Sequence, residues 1–100
     1  MDIMWLPVAV ADREGLVDYI AARNPFAAIE QGDRIAQAID RLSEFPEIGR
    51  TGRVPGTREL VIPGTPYVTV YRLNRPRERV EILRILHGAK RWPPAEGDET

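Results

Sequence analysis

The chain has 100 residues, 43% of them hydrophobic, with 14 basic and 15 acidic side chains and a formal net charge of −1, which gives room for one modest core. No cysteine and a single histidine, His87, exclude a disulfide framework, a thiolate metal site and HExxH-type zinc spacing, so neither metal nor cofactor is expected. No stretch approaches the ~18 uninterrupted apolar residues of a membrane helix, and the opening MDIMWLPVAVADRE has no basic n-region, so the default is a soluble cytoplasmic protein.

Ile3 to Leu6 is a short apolar run stopped by Pro7, and it reads as a first strand. Pro7 suits the first turn of a following helix. Val10, Leu16, Val17, Ile20 and Ala21 give that helix a rough apolar stripe up to Arg23. Asn24-Pro25 ends it, because the residue before a proline is pushed out of the α region. Phe26, Ile29, Ile35, Ala36, Ile39, Leu42 and Ser43 mark a second helix to about Phe45, closed by Pro46. The short break between the two predicts an antiparallel helical hairpin.

Residues 46–57, PEIGRTGRVPGT, are rich in Gly, Pro and Arg and read as a loop. Three strands are predicted next: Arg58 to Ile62, Tyr67 to Leu73 and Arg79 to His87, joined by short turns into an antiparallel meander. The last carries apolar residues at both parities, which suggests an interior strand with the N-terminal strand as a further neighbour. The fold class is therefore α+β: N-terminal strand, helical hairpin, three-stranded meander. Residues 1–93 form the domain, and residues 94–100 read as a loose acidic tail.

Charge is unevenly spread. Residues 1–49 sum to −5, residues 50–93 to +7 and the tail to −3, and Lys90 is the only lysine. Arginine recognises carboxylates and phosphates through a planar fork. The second half therefore looks built to meet something anionic, although arginine-rich strands also suit a solvated sheet edge.

The runs GRTGRVPGTRELVIPGTPYVTVYR (49–72) and VEILRILHGAKRWP (80–93), with Trp5, Pro7, Tyr19-Ile20-Ala21 and Asn24-Pro25 before them, resemble the ParE-like branch of the RelE/ParE toxin superfamily. The resemblance implies the toxin half of a type II toxin–antitoxin pair, with a possible role in plasmid stabilization, neutralised by a ParD-like antitoxin. It implies one fold and two activities: RelE-like members cut mRNA on the ribosome, whereas ParE-like members act on DNA gyrase and stall it with broken DNA.

Chemistry separates the two. RNA cleavage needs a base, an acid and cations over the developing phosphorane. RelE-like ribonucleases carry two lysines on the first meander strand, where this chain has Glu59 and Val61. Their next strand carries an arginine, where Val68 stands here. Their basic C-terminal segment has a tyrosine, and here it reads Gly88-Ala89-Lys90-Arg91-Trp92. Arginine cannot serve as a general base. The alternative, an mRNA interferase, would pair Glu59 with His87 and clamp phosphate with Arg72 or Arg84. The commoner roles of these two residues are an arginine partner for Glu59 and a strand-end cap for His87.

Strand alternation by itself leaves the register of the first two meander strands open by one residue. The resemblance groups Glu59 and Val61 with Val68, Val70 and Arg72 on one open face. Val61, Val68, Val70 and Arg72 are then the expected antitoxin contacts, an apolar groove suited to an amphipathic helix. Lys90, Arg91 and Trp92 are the expected contacts with gyrase, no catalytic residue is expected, and Trp92 could equally be a packing lid. Trp5 is expected in the core.

Overall fold

The computed structural model describes residues 1–89, 92 and 93. Its element order is β1 (Asp2–Trp5), α1 (Pro7–Ala21), α2 (Pro25–Asp40), a 3-10 turn (Arg41–Ser43), β2 (Arg50–Thr51), β3 (Arg58–Val61), β4 (Tyr67–Asn74) and β5 (Arg79–His87). Both helices start at a proline, whose fixed φ suits the first helical position and whose missing N–H costs nothing there. Asn24 supplies a cap for α2, its side-chain oxygen accepting the Ala27 N–H at 3.1 Å.

The sheet has five strands in the order β1-β5-β4-β3-β2. The predicted meander is present as β3-β4-β5, but the sheet as a whole is mixed, because β1 lies parallel to β5 with Asp2 opposite Arg79 and Trp5 opposite Ile82. The predicted loop 46–57 also contains a two-residue strand, β2, paired with Arg58 and Glu59. Pattern alone could not show it, since so short a strand has no periodicity.

Both helices cover one face of the sheet. Ala9, Ile35, Ala38, Ile39 and Leu42 from the helical layer meet Ile62, Tyr71, Val80, Ile82 and Ile85 from the sheet, with Trp5 packed against them. The buried stripe of α2 differs from the sequence expectation. It runs through Ala28, Ile35, Ala38 and Ile39, whereas Phe26 and Ile29 are 84% and 64% exposed and Ala36 faces solvent. The helix is rotated to bring its small residues against the sheet.

Two local features fix which side chains face the helices. Between β3 and β4, Ile62 donates its N–H to the Tyr67 carbonyl at 3.0 Å, and the Thr65 hydroxyl bonds the Ile62 carbonyl at 2.9 Å while accepting the Tyr67 N–H at 3.0 Å. Gly64 takes φ 75°, a conformation that glycine adopts without a Cβ penalty. This turn sets Glu59 opposite Val70 and Val61 opposite Val68. Between β4 and β5 the register jumps from Val70↔Arg84 to Tyr71↔Ile82, so Leu83 is a bulge. It switches parity, so that Val80, Ile82 and Ile85 all reach the core.

Candidate functional site

The face of the sheet turned away from the helices carries Glu59 and Val61 from β3, Val68, Val70 and Arg72 from β4, and Arg79, Glu81 and Leu86 from β5. The grouping expected from the family resemblance is the one the register produces. Its openness is corrected: Val70 is fully buried and Val68 is 6% exposed, whereas Val61 is 50% exposed. The flanking side chains are long and charged, and arginine stems readily lie over apolar surface.

Two carboxylates are buried on this face, each held by two arginines. Glu59 accepts from Arg53 Nε (3.1 Å), Arg53 Nη2 (3.0 Å), the Arg53 backbone N–H (3.0 Å) and Arg50 Nη2 (3.3 Å). The Arg53 side-chain hydrogen bonds outweigh the burial that opposes them and hold Glu59 at about 2. Glu81 accepts from Arg72 Nε (2.5 Å), Asn74 Nδ2 (3.1 Å) and Arg79 Nε (2.8 Å). Arg72 leads in lowering it to about 2. Much of the apparent cationic excess of the second half is thus consumed inside the molecule. Arg72, named from the sequence for both antitoxin binding and phosphate clamping, is an ion-pair partner first.

The alternative catalytic set is not assembled. His87 lies opposite Tyr67, its ring edge-on to the tyrosine at 6.0 Å, on the side of the sheet that faces the helices. Glu59 lies opposite Val70 on the other side. His87 Nδ1 accepts the Ala89 N–H at 3.1 Å, the strand-end role. Arg84 turns off the sheet to Asp12 on α1, donating from Nε at 2.7 Å and Nη2 at 3.0 Å. Glu59, already ionised and saturated with donors, is a poor proton acceptor.

Of the expected target contacts, Lys90 and Arg91 lie outside the described residues. Trp92 sits half-buried with its ring 5.5 Å from the Arg84 guanidinium carbon, the geometry of a cation–π contact. Its indole nitrogen is buried with no hydrogen-bond partner. Asp12, Glu81 and Tyr71 were not foreseen from the sequence. Tyr71 is fully buried on the core side, its hydroxyl donating to the Pro46 carbonyl at 2.8 Å and accepting the Gly49 N–H at 2.9 Å. Among the described residues no cluster of three or more His, Cys, Asp or Glu side chains could hold a metal, and no helix is long and apolar enough to cross a membrane.

A helical hairpin laid on one face of a small mixed sheet, with an arginine-rich opposite face, defines a RelE/ParE-type toxin. The chain belongs to the ParE toxin family of type II toxin–antitoxin systems: residues 3–92 match the family model described as the ParE toxin of the parDE system. It is 40% identical over 91 residues to Y4kP of Sinorhizobium fredii, covering 91% of this chain and 92% of that one. It is 35% identical over 88 residues to the toxin RelE2 of Caulobacter vibrioides, covering 88% and 96%. Among solved structures it is similar to the chromosomal ParDE system of P. aeruginosa (TM-score 0.77, 26% identity, 87% and 95% covered). The RelBE2 complex of Mycobacterium tuberculosis shares the fold (TM-score 0.60, 20% identity, 86% and 95% covered).

Proposed function

We propose that this toxin poisons DNA gyrase in the cytoplasm, has no catalytic centre of its own, and is neutralised by a ParD-like antitoxin. The observation that carries the reading is the separation of Glu59 and His87 onto opposite faces of the sheet. With the lysine pair, strand arginine and tyrosine of the ribonucleases replaced, these two residues were the remaining acid–base pair. The rest of that face offers arginines, which bind anions without moving protons at ordinary pH.

Cleavage of mRNA on the ribosome is the second reading, favoured by the Caulobacter relatives named RelE2 and RelE1. The deciding experiment incubates purified toxin with gyrase, ATP and supercoiled plasmid. Accumulation of linear DNA after detergent and protease supports gyrase poisoning, and its suppression by the antitoxin supports the pairing. No trapped DNA, together with robust ribosome-dependent mRNA cleavage that collapses in Glu59→Gln or His87→Ala, would establish the second reading instead.

A further inference from the structure

Of the three valines first assigned to the antitoxin, Val61 is the exposed one, and it lines a groove away from the flat face. The groove has a volume of about 160 Å³ and is lined by Arg34, Gln37 and Ala38 of α2, by Arg41 of the 3-10 turn that continues it, and by Leu60, Val61 and Pro63 of and beyond β3. Its floor is apolar. Its rim is cationic, from two arginines seven residues apart and so on one side of the helix.

The rim is built rather than incidental. Arg34 is placed by Glu30, one turn earlier on α2, through a 3.3 Å hydrogen bond. Its guanidinium also rests on the β3–β4 turn, against Gly64, where a Cβ would clash with it. Arg41 pairs with no carboxylate among the described residues. Most arginines of the sheet do, through Glu59, Glu81 and Glu47. The groove also borders a free strand edge. β2 covers Arg58 and Glu59 and stops, and alternation from the Ile62–Tyr67 hydrogen bond turns the Val61 backbone groups outward.

We propose that this α2–β3 groove is the docking site for an extended antitoxin segment that places an apolar side chain against Val61 and flanking carboxylates on Arg34 and Arg41. The inference rests on the antitoxin reading above and locates its contact. Charge complementarity selects an acidic partner, since the groove is lined by two arginines and no acid, and only Arg34 has a carboxylate beside it, the exposed Glu30. A second copy of this chain is a poorer occupant. Packed groove to groove across a two-fold, its Arg34 and Arg41 would meet the same arginines of the first copy, and like charges repel.

The test uses the full chain and, as probe, the purified product of the small reading frame adjacent to the toxin gene, with binding followed by calorimetry. Val61→Asp should raise Kd more than tenfold. Arg34→Gln/Arg41→Gln should weaken binding and flatten the dependence of Kd on salt. All three positions are exposed, and a melting curve confirms folding; if Val61→Asp fails to fold, the arginine pair carries the test. Folded variants with Kd within twofold of wild type and an unchanged salt slope would overturn the groove while leaving the antitoxin reading intact. Absence of binding by the wild type would overturn both. Oligomers of the wild type alone that dissociate in Val61→Asp, with antitoxin affinity unchanged, would assign the groove to a second copy and overturn the proposal.

Discussion

Asp12 and Arg84 meet at the edge of β5 in a two-pronged ion pair, and the same Asp12 Oδ2 accepts the Ile85 N–H at 3.0 Å. β1 pairs with β5 only as far as Ile82, and Leu6 donates the last ladder bond to the Ile82 carbonyl. Beyond that point the edge of β5 faces α1, and Asp12 supplies the acceptor that a neighbouring strand would otherwise provide. The Asp12 hydrogen bond raises the Arg84 pKa, and Arg84 in turn carries the Trp92 ring.

Asp12→Ala should therefore cost roughly 2–4 kcal/mol, since it leaves a partly buried guanidinium and a strand amide without their acceptor. Asp12→Asn, which keeps an oxygen for Ile85, should cost less. Urea denaturation measures both. In a Trp5→Phe background, Trp92 emission should shift to the red when Asp12 is removed. Unchanged emission would show that Trp92 is seated by something other than Arg84.

Acid should unfold the protein through Glu59 and Glu81. Each sits at about 2 in the fold against 4.5 for an unencumbered glutamate. A depressed carboxylate contributes stability that is complete above the unfolded value and is lost as pH falls through the folded one. The loss should therefore run from about pH 4.5 to about 2, with each carboxylate taking up a proton on unfolding. Glu81→Gln should lower stability at pH 7 and flatten this acid limb. Stability independent of pH across that window would contradict the assignment.

Tyr71 ties the segment after the helical hairpin to the sheet through Pro46 and Gly49. Tyr71→Phe removes both bonds and should cost about 1–3 kcal/mol, with faster amide exchange at Gly49 as the local sign. Gly49→Ala should be at least as harmful, because its Cβ would lie 2.5 Å from the Tyr71 hydroxyl oxygen. If Tyr71→Phe melts like wild type, the loop is held by other contacts.

Truncation after Gly88 separates target contact from antitoxin contact. It removes Lys90, Arg91 and Trp92, the residues expected from the sequence to contact gyrase, and leaves Val61, Arg34 and Arg41 in place. Gyrase poisoning should disappear while antitoxin affinity changes by less than threefold, roughly the scatter expected for distant sites. Circular dichroism and a melt confirm folding. A folded truncated chain that still traps gyrase on cleaved DNA would move the toxic surface to Arg50, Arg53 or the helical hairpin. His87→Ala, by contrast, should arrest growth as wild type does.

The sequence by itself determined the two helices, the N-terminal strand, the three meander strands and their order, but not β2 or the 3-10 turn. Proline and asparagine placed the helix starts, and alternating apolar residues with short polar turns placed β3, β4 and β5 to within a residue. These are local properties, set by backbone sterics and side-chain period. The family resemblance favoured one of the two β3–β4 registers that alternation left open, and the structure has that one, held by the Thr65 turn. Tertiary structure decided the rest. The both-parity pattern of β5 reflects in part a bulge at Leu83, whose position depends on how β4 pairs and not on β5 alone. The valines expected to be open differ in exposure because Val68 and Val70 lie in an interior strand and Val61 lies by a free edge. The fate of the arginines depended on Glu59, Glu81 and Asp12. Asp12 is 72 residues from Arg84 along the chain, and a one-dimensional charge count cannot register a pair that only folding brings within 3 Å.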